Sequence, residues 1–597
     1  MKRQSGKLCA GNGLRRVCLL FVSLTAAFGV AFGPYAYAQT SAASGAAPGT
    51  GTTTSSTYTQ SGSTTSTTTT ATPAATLSGS SAPSAAAPAS APPAGALLND
   101  FAPVSTINVT AGGPDPEFSA LEAKYNARFP NNAPLVGSTA WHGFLQQLDR
   151  SIEITLPAPE TISSVSIQMN QNPNIGVLFP DHVSFEVRHN GTWYLAQSVK
   201  SLIPPWTMSQ NTEVFTANFN DIQAQRIIIH FPVAGWVFAN EIHVWGYNNV
   251  APNPFPSLPQ VPQTTGTAMT TRNARDHGIQ NMLLVYTGGG TAASTWTQHD
   301  FMPMVGYMTP AGKITGRMFD TMLFLPEGRL ANTQTAWQGY LNNLFASGSQ
   351  LSALNQAVAL TNWELPGAGS LQYKEKVIIG IPHPRFGSGV WGTLNGTQLN
   401  FSGTYNDTYA VQSRIAALQW YVNTLLQKWR AAHFGDLKLA GFYWVDEKVD
   451  FHQPDDLNLI QATATYTRSQ GFPLFWIPYY DAAGIDGWQS HGFTAAWMQP
   501  NYLDQGNTDP QRLQVAVQLA QTTGMGIEIE APWEVVSVPN YRTLYLQMLT
   551  TLEQDQMASP VSHAFYAGSK VLVTAAYSKY APDRNVYNAT YKFIHFK

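Results

Sequence analysis

Hydrophobic and polar residues alternate with two different periods along the chain. Between residues 100 and 250, apolar side chains occupy every second position in short runs bounded by turn residues, at 151–156, 165–169, 183–187 and 226–230. This period-two pattern predicts antiparallel strands. No segment of this region has the apolar spacing of a helix, so the pattern favours an all-β sandwich uninterrupted by helices.

The region from 271 to 597 repeats a second pattern, in which short and fully apolar runs alternate with segments of helical spacing. Such runs are typical of parallel strands that helices cover. Eight of them predict eight strands, at 282–286, 321–325, 377–381, 441–445, 474–477, 495–498, 526–530 and 563–566. Eight β/α units predict an α/β fold, the closed (β/α)₈ or TIM barrel, with a doubly wound open sheet as the alternative. Gly471 and Gly524 follow two predicted helices where a C-terminal cap is expected.

The first 38 residues have the pattern of a cleaved secretory signal peptide. Basic residues precede an apolar run from Val17 to Phe32, and a small-x-small cleavage motif ends at Ala38. An uncleaved membrane anchor is the alternative, but the run is short for a spanning helix. We therefore expect a chain exported to the periplasm, the cell surface or the medium, with no membrane span after cleavage.

Two linkers separate the expected domains. Residues 39–99 consist mainly of Ser, Thr, Ala, Pro and Gly and carry no charge, which predicts a disordered tether. Residues 251–270 contain five prolines, which predicts an extended, semi-rigid connection. The sandwich is thus expected at 100–250 and the barrel at 271–597.

Charge and cysteine content exclude several classes of protein. Both cysteines, Cys9 and Cys18, lie in the signal peptide, so the mature chain has no disulfide and no thiol ligand for a metal. The signal peptide also holds five of the 32 Lys and Arg residues, which leaves 27 against 35 acidic residues and a net charge of −8. Such a chain lacks the basic field that nucleic acid requires. We expect a monomer without a metal, a cofactor or a nucleic acid partner.

Carboxylates stand near the carboxyl ends of two predicted barrel strands, where barrel enzymes place their active sites. Asp446 and Glu447 follow the fourth strand, and Glu528 and Glu530 lie on the seventh. The latter pair is two residues apart, so both side chains project to one side of the strand. Glycosidic cleavage needs a carboxylic acid and a carboxylate, which Glu447 and Glu530 would supply. The strand pleat alone leaves open whether Asp446 or Glu447 faces inward.

Other residues near the strand ends are candidates for holding a polysaccharide, because aromatic rings pack on sugar faces and neutral amides bind hydroxyls. The barrel candidates are Trp444, Trp476, Trp533, Tyr479, Tyr480, Gln499, Asn501, His383, Arg385 and Asp320. In the sandwich the candidates are Trp206 and Trp236. Trp236 lies in a Gly-flanked segment that is expected to expose it.

The pair Asp446 and Glu447 after the fourth strand, with Glu530 ending the seventh, resembles the large barrel clan of retaining glycoside hydrolases. That clan usually has an Asn-Glu pair where this chain has Asp-Glu. The resemblance implies Glu447 as the acid/base and Glu530 as the nucleophile. We expect an endo-acting, retaining glycosidase that cleaves a bacterial exopolysaccharide or a related glycan.

Two further resemblances cover the separate domains. The order of the early strands, closed by residues 241–246, resembles the discoidin-like galactose-binding sandwich. The barrel is similar to an uncharacterised family of secreted bacterial domains, through Tyr286-Thr287-Gly288, residues 441–444, 475–479, 498–502 and 526–530.

Two activities remain as alternatives to hydrolysis. One is a non-catalytic, glycan-binding surface protein. The other is a polysaccharide lyase or deacetylase, which requires His383 and Asp320 to face a metal or a lone base.

Overall fold

The computed structural model describes residues 96–203, 207, 209–261, 268–269, 278–365, 367, 372–403, 408–450, 453, 455–485, 487–503, 510–568 and 570–596. The predicted signal peptide, nearly all of the predicted tether and Trp206 lie outside these residues. Within the described part of the chain, no helix is long and apolar enough to cross a membrane.

Eight antiparallel strands make up the sheet of the amino-terminal region. They are β1 (Leu98–Asp100), β2 (Thr106–Ala111), β3 (His142–Leu145), β4 (Asp149–Gln171), β5 (Val183–His189), β6 (Thr192–Val199), β7 (Asn211–Pro232) and β8 (Trp236–Tyr247). The main order is β1-β8-β4-β7-β5-β6, with β2 beside β4 and β3 beside β8. The four predicted strands lie within β4, β5 and β7, which confirms them. A discoidin-like sandwich stays a prediction.

The core of this region follows from the alternation of its strands. Ile152 and Ile154 of β4 and Ile227 and Ile229 of β7 are fully buried. The residues that flank them in the sequence are only half-buried, because successive side chains of a strand point to opposite faces. The period-two pattern therefore marks the buried face correctly.

One helix, α1 (Pro116–Asn126), interrupts the strands, so the prediction of an uninterrupted sheet was wrong. Asp115 caps this helix, because its carboxylate accepts from the N–H groups of Glu117 (2.9 Å) and Phe118 (3.1 Å). Pro116 occupies the first turn, where its missing N–H costs nothing. Asp-Pro-Glu is a typical helix start, but the apolar residues that follow it do not gather on one helical face.

The described residues of the second region contain twelve strands, of which eight form the barrel. They are β9 (Asn281–Thr287), β10 (Gly306–Met308), β11 (Ile314–Arg317), β12 (Thr321–Pro326), β13 (Glu375–Ile381), β14 (Val390–Leu394), β15 (Thr397–Asn400), β16 (Leu437–Trp444), β17 (Leu474–Trp476), β18 (Ala495–Met498), β19 (Gly526–Glu530) and β20 (His563–Tyr566). Two of the pairs, β10 with β11 and β14 with β15, are antiparallel and lie outside the barrel.

The barrel is closed and entirely parallel, in the order β9-β12-β13-β16-β17-β18-β19-β20 and back to β9. Its strands follow one another in sequence, as eight consecutive β/α units require. All eight predicted strands are confirmed, and the open-sheet alternative was wrong. An apolar cluster inside the barrel includes Leu284, Leu323, Ile378, Phe475 and Trp497.

Helices cover the outside of the barrel. They are α2 (Gln298–Val305), α3 (Gln334–Leu344), α4 (Gln350–Glu364), α5 (Thr408–Ala432), α6 (Asp456–Ser469), α7 (Pro510–Thr523), α8 (Glu534–Ser537), α9 (Pro539–Gln554), α10 (Val571–Tyr577) and α11 (Ala581–Ile594). Gly471 and Gly524 follow α6 and α7 with φ of 85° and 69°, which confirms both as capping glycines. Between β17 and β18 the described residues contain no helix.

The two regions contact each other at this helix-free connection. Arg512 of α7 pairs with Asp115 (2.9 Å), and its guanidinium lies 4.0 Å from the ring centre of Tyr480. The Asp481 carboxylate accepts from the backbone N–H groups of Gln147 and Leu148, two residues with positive φ. The contact is therefore built on buried polar groups, each of which needs its partner in the other region.

Removing Arg512 tests this contact. We expect Arg512→Ala to lower the free energy of unfolding by about 3 kcal/mol, because Asp115 would stay buried without its cation. Chemical denaturation followed by tryptophan fluorescence measures the change. Arg468→Ala, at an exposed arginine of α6, is the control and is expected to change stability by less than about 0.5 kcal/mol. Equal stabilities of the two variants would contradict the role of Arg512.

Candidate functional site

Two carboxylates project toward the interior at the carboxyl end of the barrel. Ile527 and Ile529 of β19 pack in the outer core with the helices. Glu528 and Glu530 therefore point inward, as the two-residue spacing predicts. Both are almost fully buried, with exposed fractions of 3% and 1%. Carboxylates at such positions need polar surroundings, because an uncompensated buried charge is costly.

Three tyrosines that sequence analysis missed supply part of these surroundings. They are Tyr286 of β9, Tyr443 of β16 and Tyr566 of β20. The rings of Tyr286 and Tyr566 meet edge to face with centres 5.9 Å apart. Each tyrosine is on the inward-facing parity of an apolar strand, and this alternation is the signal that could have identified them.

The charges of two glutamates, Glu447 and Glu528, act on two of these tyrosines. Burial raises the pKa of Tyr286 well above its usual value, and the charges of Glu528 and Glu447 raise it further. Burial likewise raises the pKa of Tyr443, followed by the charges of Glu447 and Glu528. The charges of Glu447 and Glu528 therefore act on the same two phenols, Tyr286 and Tyr443.

Glu530 has different surroundings from those of Glu528. Its Oε2 accepts from the backbone N–H groups of Tyr502 (2.8 Å) and Leu503 (3.0 Å). These residues belong to the segment after β18, so the carboxylate anchors that segment to the end of β19. Such hydrogen bonds stabilise the ionised form of a carboxylate.

Asp446 forms an ion pair with His383. The imidazole of His383 lies between two carboxylates, with Nδ1 2.9 Å from Asp446 Oδ2 and Nε2 2.7 Å from Asp456 Oδ1. Burial opposes protonation of His383, but the charges of Asp456 and Asp446 raise its pKa to about 10. His383 is therefore a cation at neutral pH. The sequence left open whether Asp446 or Glu447 is the candidate acid. Because the Asp446 carboxylate already pairs with the His383 cation, the ion pair favours Glu447.

Trp444 and Trp476 pack in the outer core rather than at the mouth of the barrel, so their expected place at the mouth was wrong. Both are fully buried. The physical reason is the strand pleat: Trp444 follows the inward Tyr443, and Trp476 follows the inward Phe475. Trp533, three residues after β19, is 52% exposed and remains available for stacking.

The predicted polar residues after β17 and β18 mostly hold loops together. Gln499 donates from Nε2 to the carbonyl of Ile477 (3.1 Å), and Asn501 accepts from the N–H of Tyr480 (2.8 Å). Tyr480 is buried under Arg512 at the contact between the two regions. Tyr479 stays near the site, because its N–H donates to the carbonyl of Glu447 (3.2 Å).

The predicted position of Asp320 at the mouth was wrong, because this residue directly precedes β12 and lies at the amino-terminal end of the barrel. Its carboxylate accepts from the N–H groups of Gln280 (3.0 Å) and Asn281 (3.0 Å) and pairs with Lys376 (3.4 Å). Arg385 follows β13 and lies on the same rim as Glu447. His383 and Asp320 are thus at opposite ends of the barrel, so the arrangement that would favour a lyase or deacetylase, with both residues facing one metal or base, is not formed.

Trp236 is the first residue of β8 rather than part of an exposing loop, so the expected exposure was wrong. Its ring packs against Tyr125 (5.2 Å between ring centres) and Phe238 (5.9 Å), which leaves it half-buried. It also lines a cavity with Leu178, Val233 and Ala482. A role in glycan binding stays a prediction. Among the residues that the structure describes, no cluster of three or more His, Cys, Asp or Glu could hold a metal ion.

The ion pairs of His383 predict a loss of stability on its replacement. We expect His383→Gln to lower the free energy of unfolding by roughly 3 kcal/mol at neutral pH, because Asp446 and Asp456 lose their common cation while buried. Urea unfolding measures this change. His595→Gln, at an exposed histidine, serves as the control. A stability equal to that of the unmodified protein would contradict the structural role of His383.

The same cation predicts a pH dependence with a defined sign. The pKa of His383 rises from 6.5 to about 10 on folding. A group whose pKa is raised on folding stabilises fully below its unfolded pKa, and this contribution is lost as pH rises through its folded pKa. We therefore expect the stability difference between the unmodified protein and His383→Gln to shrink as pH rises from about 6.5 to about 10. A difference that grows over this interval would contradict the assignment.

The structures similar to this chain include several carbohydrate-active proteins, all at low identity. A xylanase from Clostridium thermocellum, with its CBM22 and GH10 modules and bound xylohexaose, is 8% identical over 83% of this chain and 94% of that chain, with a TM-score of 0.29. A GH29 fucosidase variant from Ruminococcus gnavus with bound fucose is 16% identical over 26% of this chain, with a TM-score of 0.18. The match spans 28% of that fucosidase.

A family 32 carbohydrate-binding module of C. perfringens NanJ, bound to galactose, is 19% identical over 25% of this chain and 99% of that chain, with a TM-score of 0.17. These scores are too low to support a functional argument. No curated protein matches the chain. Residues 281–592, more than half of the chain and the whole of the barrel, match the domain of unknown function DUF4855. The protein belongs to the DUF4855 family.

Proposed function

We propose that the protein is a glycoside hydrolase that cleaves within a polysaccharide, with Glu447 as the acid/base and a glutamate of β19 as the nucleophile. The observation that carries this proposal is that Glu447 and Glu528 both lie at the carboxyl end of the barrel and that their charges act on the same phenols, Tyr286 and Tyr443. Paired carboxylates at the carboxyl end of a barrel are the groups that glycosidic cleavage requires.

The proposed reaction has two steps with retention of configuration. Glu447 gives its proton to the glycosidic oxygen while the bond from that oxygen to the anomeric carbon breaks and the nucleophile carboxylate bonds to that carbon. Water then attacks the anomeric carbon, Glu447 takes the proton of the water, and the carboxylate is released. In the first step one proton moves from Glu447 to the departing sugar, and in the second step one proton of the water returns to Glu447. Charge and atoms therefore balance.

Glu528 is the nucleophile that the surroundings support, in place of the Glu530 expected from sequence. The charges of Glu528 and Glu447 act on the same phenols, and a tyrosine hydroxyl can orient a carboxylate by hydrogen bonding. Glu530 Oε2 is engaged by two backbone N–H groups of the segment after β18. In this assignment, Glu530 positions that segment at the mouth.

We also propose that the chain is exported and works as a monomer on an exopolysaccharide or a related glycan, which the amino-terminal sheet holds near the barrel. The support is the sequence of residues 1–38 and the buried polar contact between the two regions. That contact fixes the sheet beside Asp481. Two residues before Asp481, the N–H of Tyr479 donates to the carbonyl of Glu447.

Burial of the site favours a second candidate function, a glycan-binding protein that does not cleave. Glu528 and Tyr443 have exposed fractions of only 3% and 2%, so a sugar ring reaches them only if the mouth opens. Under this alternative, Trp533 and the polar rim would bind glycan without chemistry at the glutamates.

Substitution of the three glutamates tests the proposal. We expect Glu447→Gln and Glu528→Gln each to reduce cleavage by about 10²–10⁴-fold with the fold intact, because each removes a group that transfers a proton or forms a bond. Reducing ends and product masses from a panel of polysaccharides measure cleavage, and thermal unfolding checks the fold. The exposed Glu117→Gln is the control and should cleave normally.

The remaining outcomes separate the assignments. A Glu530→Gln variant that loses cleavage while Glu528→Gln retains it would return the nucleophile to Glu530. Release of product with inverted anomeric configuration, read by proton NMR, would contradict the two-step mechanism. Binding of a polysaccharide without any cleavage by the unmodified protein would instead support the non-catalytic alternative.

A further inference from the structure

Two arginines lie on the same rim of the barrel as Glu447. Arg329 follows β12 by three residues, and Arg385 follows β13 by four. These strands are neighbours in the barrel and pair directly. The carboxyl ends of neighbouring parallel strands meet at one edge, so both arginines belong to the same part of the mouth.

Hydrogen bonds fix the two arginine-bearing loops to each other. The Asn332 amide, oriented to satisfy both of its groups, donates to the carbonyl of His383 (3.0 Å) and accepts from the N–H of Arg385 (3.0 Å). Asn332 is only 7% exposed, and His383 is itself held by Asp446 and Asp456. The backbone at Arg385 is therefore preorganised, which lowers the entropic cost of binding a ligand.

The two guanidinium groups are close enough to oppose each other electrostatically. Burial lowers the pKa of Arg329, and the charge of Arg385 lowers it further, whereas the charges of Asp446 and Glu447 raise it. The charges of Arg385 and Glu447 thus both act on Arg329, and an added anion would offset the repulsion between the two cations.

Three other cations of this rim form ion pairs with carboxylates. Lys448 pairs with Asp450 (3.2 Å), Arg414 pairs with Asp455 (3.6 Å), and Asp446 pairs with His383. Among the described residues, no carboxylate forms an ion pair with Arg329 or Arg385. Arg329 and Arg385 therefore form a positive site on the rim that carries Glu447, on a chain that is acidic overall.

We propose that Arg329 and Arg385 bind an anionic group of the polysaccharide, so that the substrate of the proposed hydrolase is an acidic polymer. This inference rests on the proposed function. Guanidinium groups bind carboxylates and sulfates with two parallel hydrogen bonds, and two of them can hold one anion in a fixed orientation. The anion would place the sugar that carries it, or its neighbour, at Glu447.

Binding measured without turnover tests the subsite. The probes are polygalacturonate with its carboxyl-reduced form, and dextran sulfate with dextran, each titrated calorimetrically into Glu447→Gln protein. We expect the acidic member of at least one pair to bind more tightly than its neutral counterpart. Adding Arg329→Gln or Arg385→Gln should weaken that binding about tenfold or more, because a charge-assisted hydrogen bond is lost.

Arg430→Gln is the matched control, because this exposed arginine lies in the last turn of α5, which leads to the amino-terminal end of the barrel. It should leave binding unchanged, which separates a local subsite from general charge attraction. The stronger acidic probe tells carboxylate from sulfate as the preferred anion. Equal binding of both members of each pair, or unchanged binding in both rim variants, would overturn the proposal.

Cleavage assays distinguish failure of this inference from failure of the proposed function. If the unmodified protein and both rim variants cleave a neutral polysaccharide equally well, the proposal of an acidic substrate is contradicted and the proposal of a hydrolase is supported. If an acidic polymer binds through the two arginines but no polymer is cleaved, the proposed anion subsite is supported and the proposed hydrolase activity is contradicted.

Discussion

Parallel pairing between β20 and β9 closes the barrel and joins its last strand to its first. Closure leaves no strand edge unpaired and puts all eight carboxyl ends on one rim. Residues far apart in sequence thereby become neighbours: Tyr286 precedes Tyr443 and Glu528 in the chain by whole β/α units, yet the charge of Glu528 acts on both phenols. The candidate site exists only because the sheet closes.

On this rim, His383 pairs with both Asp446 and Asp456. The carbonyl of His383 also accepts a hydrogen bond from Asn332, and Asn332 in turn accepts one from the N–H of Arg385. Docking of the amino-terminal sheet acts on the neighbouring part of the rim, because Asp481 is held by that sheet two residues after Tyr479. Ion pairs and hydrogen bonds therefore hold both of these parts of the rim.

Several errors of the sequence analysis have a local physical cause. Trp444 and Trp476 directly follow inward-facing residues, so the strand pleat alone could have assigned them to the helix-covered face. Asp320 precedes its strand and thus stands at the other end of the barrel. The helix that starts at Pro116 carried a recognisable cap but no apolar face, and the search for periodicity passed over it.

The sequence by itself determined the eight barrel strands, the inward direction of Glu528 and Glu530 and the capping glycines, because these depend on local periodicity and backbone conformation. Only the tertiary structure decided that Asp446 binds His383, that Glu530 is engaged by loop amides and that the strands preceding Arg329 and Arg385 pair directly. Those contacts join segments brought together by barrel closure, and no spacing along one strand encodes the distance between side chains on different strands.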